Sequence, residues 1–389
     1  MNYFIYNFFK RFKIISILLI SIICMKSALA ENSVPTSAIP LSMCDDDKYY
    51  CIDISGSVLK HKVSAKFDSG ASTFIIPKAC LTNYTVIKAN TIDEWGDPAD
   101  IVQGDITLTS SDGKTKYTNS NFQFFATNEA TCDENSFINF GTAMDLFFTP
   151  DQNYCVNSFF STYPYPKTET NSAYGFKIFA QNSKTHTPYI TIGNITSSEY
   201  APYEITSFNP ATPQNCGGKE NVKSFVNSQN KGWSHAVIPN ISISIGTGDT
   251  RINLTNFNAM VDTGGGMAII SDDNLSSLQN MFLQSGLGFP CTQETVWLNN
   301  CTCLIPNQTV QFTWNNKGSQ SNFSYSYLST YTGQGQITDL AVCPTWTENS
   351  ENPYIIPTGI NPGFELFNAA KSVMMDFKNG QIAISADKE

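Results

Sequence analysis

The sequence predicts a mostly β protein of two related lobes, and three observations carry that expectation. Short apolar segments alternate with polar residues and break at Gly, Pro, Asn and Ser. Helical periodicity is confined to one stretch. An Asp-hydroxyl-Gly turn occurs twice, in KFDSGAS (66–72) and VDTGGG (261–266), with Asp68 and Asp262 separated by 194 residues. A chain of 389 residues with 41% hydrophobic content has the apolar surface for a sizeable core in both lobes.

The elements follow in chain order. Residues 1–30 have a basic start (Lys10, Arg11, Lys13), an apolar run from Ile14 to Cys24 and an Ala-Leu-Ala ending, the pattern of a secretory signal cleaved after Ala30. The run is short for a bilayer span, so no stable membrane anchor is expected. YYCIDISGSV and HKVSAKF read as strands joined by a short Leu-Lys connection, and IPNISISIG, TVQFTW and NFSYSYL as further strands. Ser271 is placed to cap a helix through DDNLSSLQNMFLQ, where Leu275, Leu278, Met281 and Phe282 fall at helical spacing before Gly286. SFNPATPQNCGGKE (207–220) is rich in turn residues and reads as a linker. The expected division is a signal peptide at 1–30, an N-terminal β lobe at 31–205 carrying the first Asp turn, and a C-terminal β lobe at 206–389 carrying the second.

Charge and cysteine content bound the partners. Loss of the signal removes Lys10, Arg11, Lys13 and Lys26 and moves the formal net charge from −10 to −14, a surface that repels nucleic acid and anionic lipid. The 11 cysteines less Cys24 leave ten, an even number suited to disulfides in an oxidising compartment, so the chain is expected to be secreted, extracellular or periplasmic. His61, His186 and His235 are scattered and CTC (301–303) lacks a second spaced pair, so no metal site is expected. Eight Asn-x-Ser/Thr sites, Asn83, Asn194 and Asn253 among them, matter only in a eukaryotic secretory route.

The two turns gain meaning as a pair. AKFDSGASTFII (65–76) and AMVDTGGGMAII (259–270) match at Ala, Asp, Gly and the closing Ile-Ile, with Ser and Thr equivalent. One such tripeptide is a common turn; two in this context imply duplicated lobes related by a twofold axis. Brought together, Asp68 and Asp262 cannot both ionise easily and share one proton. The ionised member takes a proton from an intervening water while the protonated member donates to a peptide carbonyl. Gly70 and Gly264 let the backbone approach and donate to the carboxylates. The hydroxyls of Ser69 and Thr263 reach across the axis to the opposite loop.

These motifs resemble those of the pepsin-like aspartic peptidases over about residues 49–385. YYCIDISGSVLKHKVSAKFDSGASTFIIPK is similar to that family's opening hairpin and first active-site loop, and ISIGTGDTRINLTNFNAMVDTGGGMAIIS to the second. KSVMMDFKNGQIAIS resembles the closing strands of the C-terminal lobe, and YITIGNITSSEYAPYEI the stretch entering the interlobe region. The resemblance implies a bilobal pepsin-like acid protease fold with a central cleft, a hairpin flap, cleavage within polypeptide substrates and no metal or organic cofactor. A monomer is expected. The flap candidate is Trp95, which precedes Gly96 as the family's Tyr precedes its Gly.

The departures from the family pattern carry expectations of their own. Ala71 and Gly265 stand where relatives place hydroxyls that donate to the outer carboxylate oxygens, so both apparent carboxyl pKa values are expected to rise. The apolar-apolar-Gly supports appear as NFG (139–141) and NPG (361–363). Only 37 residues (31–67) lie between the signal and Asp68, which leaves no room for an inhibitory prosegment. The resemblance implies a Cys303–Cys343 disulfide, and proximity along the chain suggests Cys132–Cys155 and Cys291–Cys301. Two other functions fit the same carboxyls: a catalytically impaired pepsin-like protein that binds peptide, glycan or protein in its cleft, and a glycosidase with its carboxylates farther apart.

Overall fold

The computed structural model describes residues 34–385 except 45–48, 134–135, 144–145, 150–153, 165–174, 180–186, 194–200, 205–236, 247, 266, 271–273, 292–300, 306–308, 317–318, 327–339, 344–345, 348–354, 357–358, 362, 364–365, 368–371 and 377–380. The signal segment, Ser271, and the linker at 207–220 lie outside the described residues.

The chain is mostly β. Eight strands open the described structure: β1 (Ile39–Cys44), β2 (Tyr49–Ser55), β3 (Val63–Asp68), β4 (Phe74–Pro77), β5 (Thr85–Ile92), β6 (Pro98–Thr109), β7 (Lys116–Thr127) and β8 (Asn139–Gly141). The order β2-β3-β8-β4-β7-β6 closes on itself through Ile54↔Leu108 and Ser55↔Thr107, which makes a small barrel without a free edge. Alternation drives it: in β2, Tyr50, Ile52 and Ile54 are buried, while Asp53 is exposed and pairs with Lys62 at 2.6 Å. Phe67, Phe74, Phe124, Phe140 and Phe159 fill the interior, with Phe74 and Phe140 ring centroids 5.6 Å apart.

A crossing pattern within this barrel recurs in the second half of the chain. β3 runs parallel to β8, β8 antiparallel to β4, and β4 parallel to β7. Likewise the strand Ile252–Met260 runs parallel to Gly359–Asn361, which lies antiparallel to Met267–Ile270, itself parallel to Leu340–Cys343. Each Asp turn joins the two strands that flank the central one. The helix expected after the second turn spans Leu275–Gln284 with Asn274 as its N-cap; Leu278 and Phe282 are buried, Met281 is exposed, and Gly286 ends it at φ +72°.

The second half is not a separate sheet throughout. Ser372–Asp376 and Gln381–Ser385 pair with each other, but they also join Gly175–Phe179 and Ala201–Glu204 in the 13-stranded sheet that contains β1 to β8. The last strands therefore tie the end of the chain to its first half.

All three expected disulfide pairings are corrected. Thr302 pairs with Val342 in an antiparallel ladder, which sets Cys301 opposite Cys343, and these two are bridged with Cα atoms 4.4 Å apart. Cys303 faces Ala341 and bonds Cys291 instead. Cys132 bonds Cys80, in the 3-10 turn after β4, and not Cys155, which is bridged elsewhere. Cys44 and Cys51 close the β1–β2 hairpin. The resemblance misled for Cys303–Cys343 and chain proximity for the other two, because register, not spacing, decides which Cβ atoms meet.

Candidate active site

Asp68 closes β3, and Asp262 lies two residues past Met260, the end of the matching strand. Both are buried. The loops that follow them interlock through their hydroxyl residues: Ser69 N–H donates to Thr263 Oγ1 at 2.9 Å, and Thr263 N–H donates to Ser69 Oγ at 2.9 Å. Each hydroxyl then donates onward, Ser69 to the carbonyl of Val261 at 3.0 Å and Thr263 to that of Phe67 at 2.7 Å. Four bonds thus form a closed, twofold-like ring. A small hydroxyl residue is needed at each position because one side chain must accept and donate at once.

The glycines allow the carboxyls to meet. Gly70 N–H donates to Asp68 Oδ1 at 2.9 Å and Gly264 N–H to Asp262 Oδ1 at 2.7 Å. A Cβ on Gly70 would stand 2.4 Å from the Asp262 carboxyl carbon, and one on Gly264 would stand 2.2 Å from that of Asp68. The two carboxyls are close enough for the Asp262 side chain to raise the pKa of Asp68.

The two carboxyls differ in their surroundings. Burial pushes Asp68 up to about 6 and the neighbouring Asp262 charge adds to the rise, while the Lys66 ammonium at 4.0 Å and the Gly70 N–H oppose it. Asp262 Oδ2 accepts from the side-chain amide of Asn361 at 2.7 Å. The expectation that both outer oxygens lack a donor is therefore corrected on the Asp262 side. A Cβ at Gly265 would lie 2.4 Å from Asp262 Oδ2 and 2.9 Å from Asn361 Nδ2, so the amide fills the space a hydroxyl side chain would need. A carboxylate only accepts hydrogen bonds, and Asp262 takes one N–H donor on each oxygen, from Gly264 and Asn361, where Asp68 takes the Gly70 N–H and lies near the Lys66 ammonium.

Three residues that the sequence reading passed over stand at this site. Lys66 precedes the first turn by two residues and also lies over the Tyr49 ring at 4.2 Å; a cation in an otherwise apolar strand end was the available signal. Asn361 belongs to the NPG segment, where a polar residue is the sign of a role and not of a degraded motif. The third, Glu94, is buried and accepts from Ser72 and Thr73. Trp95 sits beside it at the tip of the β5–β6 hairpin, 44% exposed, with its ring edge-on to Phe137 at 6.4 Å.

NFG and NPG occupy matching places in the two crossings, but they are not equivalent. Asn139 is fully buried and its amide makes no hydrogen bond, whereas Asn361 reaches its aspartate. Among the described residues no group of three His, Cys, Asp or Glu side chains is placed to hold a metal ion, and no helix is long and apolar enough to cross a membrane. No protein-family model matches the chain, and no curated protein matches it.

Proposed function

We propose that the chain is a secreted aspartic endopeptidase of pepsin-like bilobal fold, acting without a metal or organic cofactor. The observation that carries this reading is the buried, closely apposed Asp68–Asp262 pair, held by two mutually interlocked loops. In this reading Asp262 is the base: its carboxylate takes a proton from a water set between the carboxyls as that water attacks the peptide carbon. Asp68 supplies its proton to the carbonyl oxygen as the tetrahedral intermediate forms. Collapse of the intermediate returns a proton to the pair and transfers another to the leaving amine. Four disulfides among the described residues accord with an oxidising compartment.

A glycosidase pair needs no such reciprocal Ser69–Thr263 interlock between its loops, which disfavours the glycosidase reading. The purified chain, incubated with denatured protein between about pH 3 and 7, tests the proposal. Internal peptide cleavage blocked by a statine-type transition-state mimic supports it. Binding of peptide or glycan with no cleavage would replace it with the binding-protein reading.

A further inference from the structure

The tip of the β5–β6 hairpin is built from consecutive acidic residues with opposed directions. Asp93 turns back on its own hairpin, where Oδ1 accepts from the Trp95 and Asp97 N–H groups at 2.9 Å each. The turn is closed by Asp93 N–H donating to the Asp97 carbonyl at 2.9 Å, and Gly96 takes φ +90°. That turn leaves Trp95 exposed and points Glu94 inward.

Glu94 leaves its own element and meets the Asp68 loop. Its Oε1 accepts from Ser72 N–H at 2.9 Å, and its Oε2 accepts from Ser72 N–H at 3.0 Å, Thr73 N–H at 3.0 Å and the Thr73 hydroxyl at 2.9 Å. Each of these contacts is a donor to a Glu94 oxygen. The opposite side of the same loop is also fixed: Gly141 N–H donates to the Thr73 carbonyl at 2.9 Å and Ala143 N–H to that of Ala71 at 2.8 Å. The backbone from 71 to 73 is thus gripped between β8 and the hairpin tip, and Ser72 and Thr73 are wholly buried. Lifting the tip would strip two buried N–H groups and a hydroxyl of this acceptor.

We propose that Glu94 is a positioning residue for Asp68: it fastens the hairpin tip to the first Asp loop, so that opening of the hairpin and placement of the carboxyl are one coupled motion. The proposal rests on the peptidase reading above. Trp95, for all its prominence in the sequence, is then the outer face of the tip, and Glu94 is its working side.

Glu94→Gln tests this, because it keeps the shape, turns an NH2 group against the donors and leaves one accepting oxygen; Glu94→Ala removes both. Backbone hydrogen exchange is measured residue by residue, and kcat on an internally quenched peptide is normalised to active sites titrated with a transition-state mimic. Exchange at Ser72 and Thr73 is expected to accelerate at least ~10-fold while β2 and β3 stay protected, and kcat per titrated site is expected to fall up to about 100-fold, as for a displaced catalytic group. Unchanged exchange at Ser72 and Thr73 overturns the tether. Faster exchange with undiminished kcat per site overturns the positioning role. Failure of the unchanged protein to cleave overturns the parent reading, a result separable from both.

Discussion

Asn361 donates to the outer oxygen of Asp262 at 2.7 Å from a strand that begins 97 residues farther along the chain, and no side chain on the Asp262 loop itself fills that place. The two carboxyls are therefore unequal although the loops that carry them repeat. Removing this donor raises the free energy of the singly charged pair. A hydrogen bond to a charged group contributes about 1.5–3 kcal/mol, or about one to two pKa units. Asn361→Ala is expected to move the acid limb of the kcat/KM profile upward by about one unit, a value that belongs to the pair. An unmoved acid limb would remove Asn361 from the electrostatics. Gly265→Thr does not restore the missing hydroxyl, since its Cβ meets Asn361 and Asp262; it is expected to lower activity at every pH.

Lys66 governs the other limb. Its ammonium lowers the affinity of Asp68 for its proton, against burial and the Asp262 charge, which together still push that carboxyl up to about 6. Activity is expected to decline as pH rises through about 6, where the pair loses its second proton. Lys66→Met leaves only the Gly70 N–H opposing burial and the Asp262 charge, so the alkaline limb shifts upward while the acid limb moves less. A downward shift of the alkaline limb would show that Lys66 acts other than through its charge.

Much of this architecture was legible in the residues. Alternation in YYCIDIS and ISISI gave strands because a half-buried strand must alternate, and the two Asp turns stood out because duplication leaves two copies to compare. Glu94 was not legible: it meets Ser72 and Thr73 only after β4, the 3-10 turn and β5 have folded, and no local pattern encodes that encounter. Asn361 read as a weakened apolar support because a polar residue in a strand carries no label of its partner. The cysteines failed for the same reason, as the register that sets Cys301 against Cys343 is a property of the ladder.

The hairpin tip makes stability depend on pH. Burial pushes Asp93 up to about 6 from 3.8, and its Oδ2 is buried without a hydrogen-bond partner. Between these values the folded chain holds a proton that the unfolded chain has lost, so stability falls as pH rises and levels off above about 6. Asp93→Asn removes that titration. Chemical denaturation is expected to show the variant gaining about 1–3 kcal/mol relative to the unchanged protein between pH 4 and 7. A constant difference across that range would contradict the assignment.

The reading of Asn139 is testable by removal. Its buried amide makes no hydrogen bond, and an unmatched buried polar group costs about 1–3 kcal/mol. Asn139→Leu, which keeps the branched four-atom side chain and removes its polar atoms, is expected to raise the midpoint of thermal unfolding; a lower midpoint would mean that the amide has a partner such as bound water.

The most direct measurement is cleavage of denatured protein between about pH 3 and 7 by the unchanged chain beside Asp68→Asn and Asp262→Asn, each shown by circular dichroism to remain folded. The shared-proton pair requires that the unchanged chain cleave internal peptide bonds at acidic pH and that either isosteric variant lose that cleavage. Full cleavage by folded Asp262→Asn would contradict it.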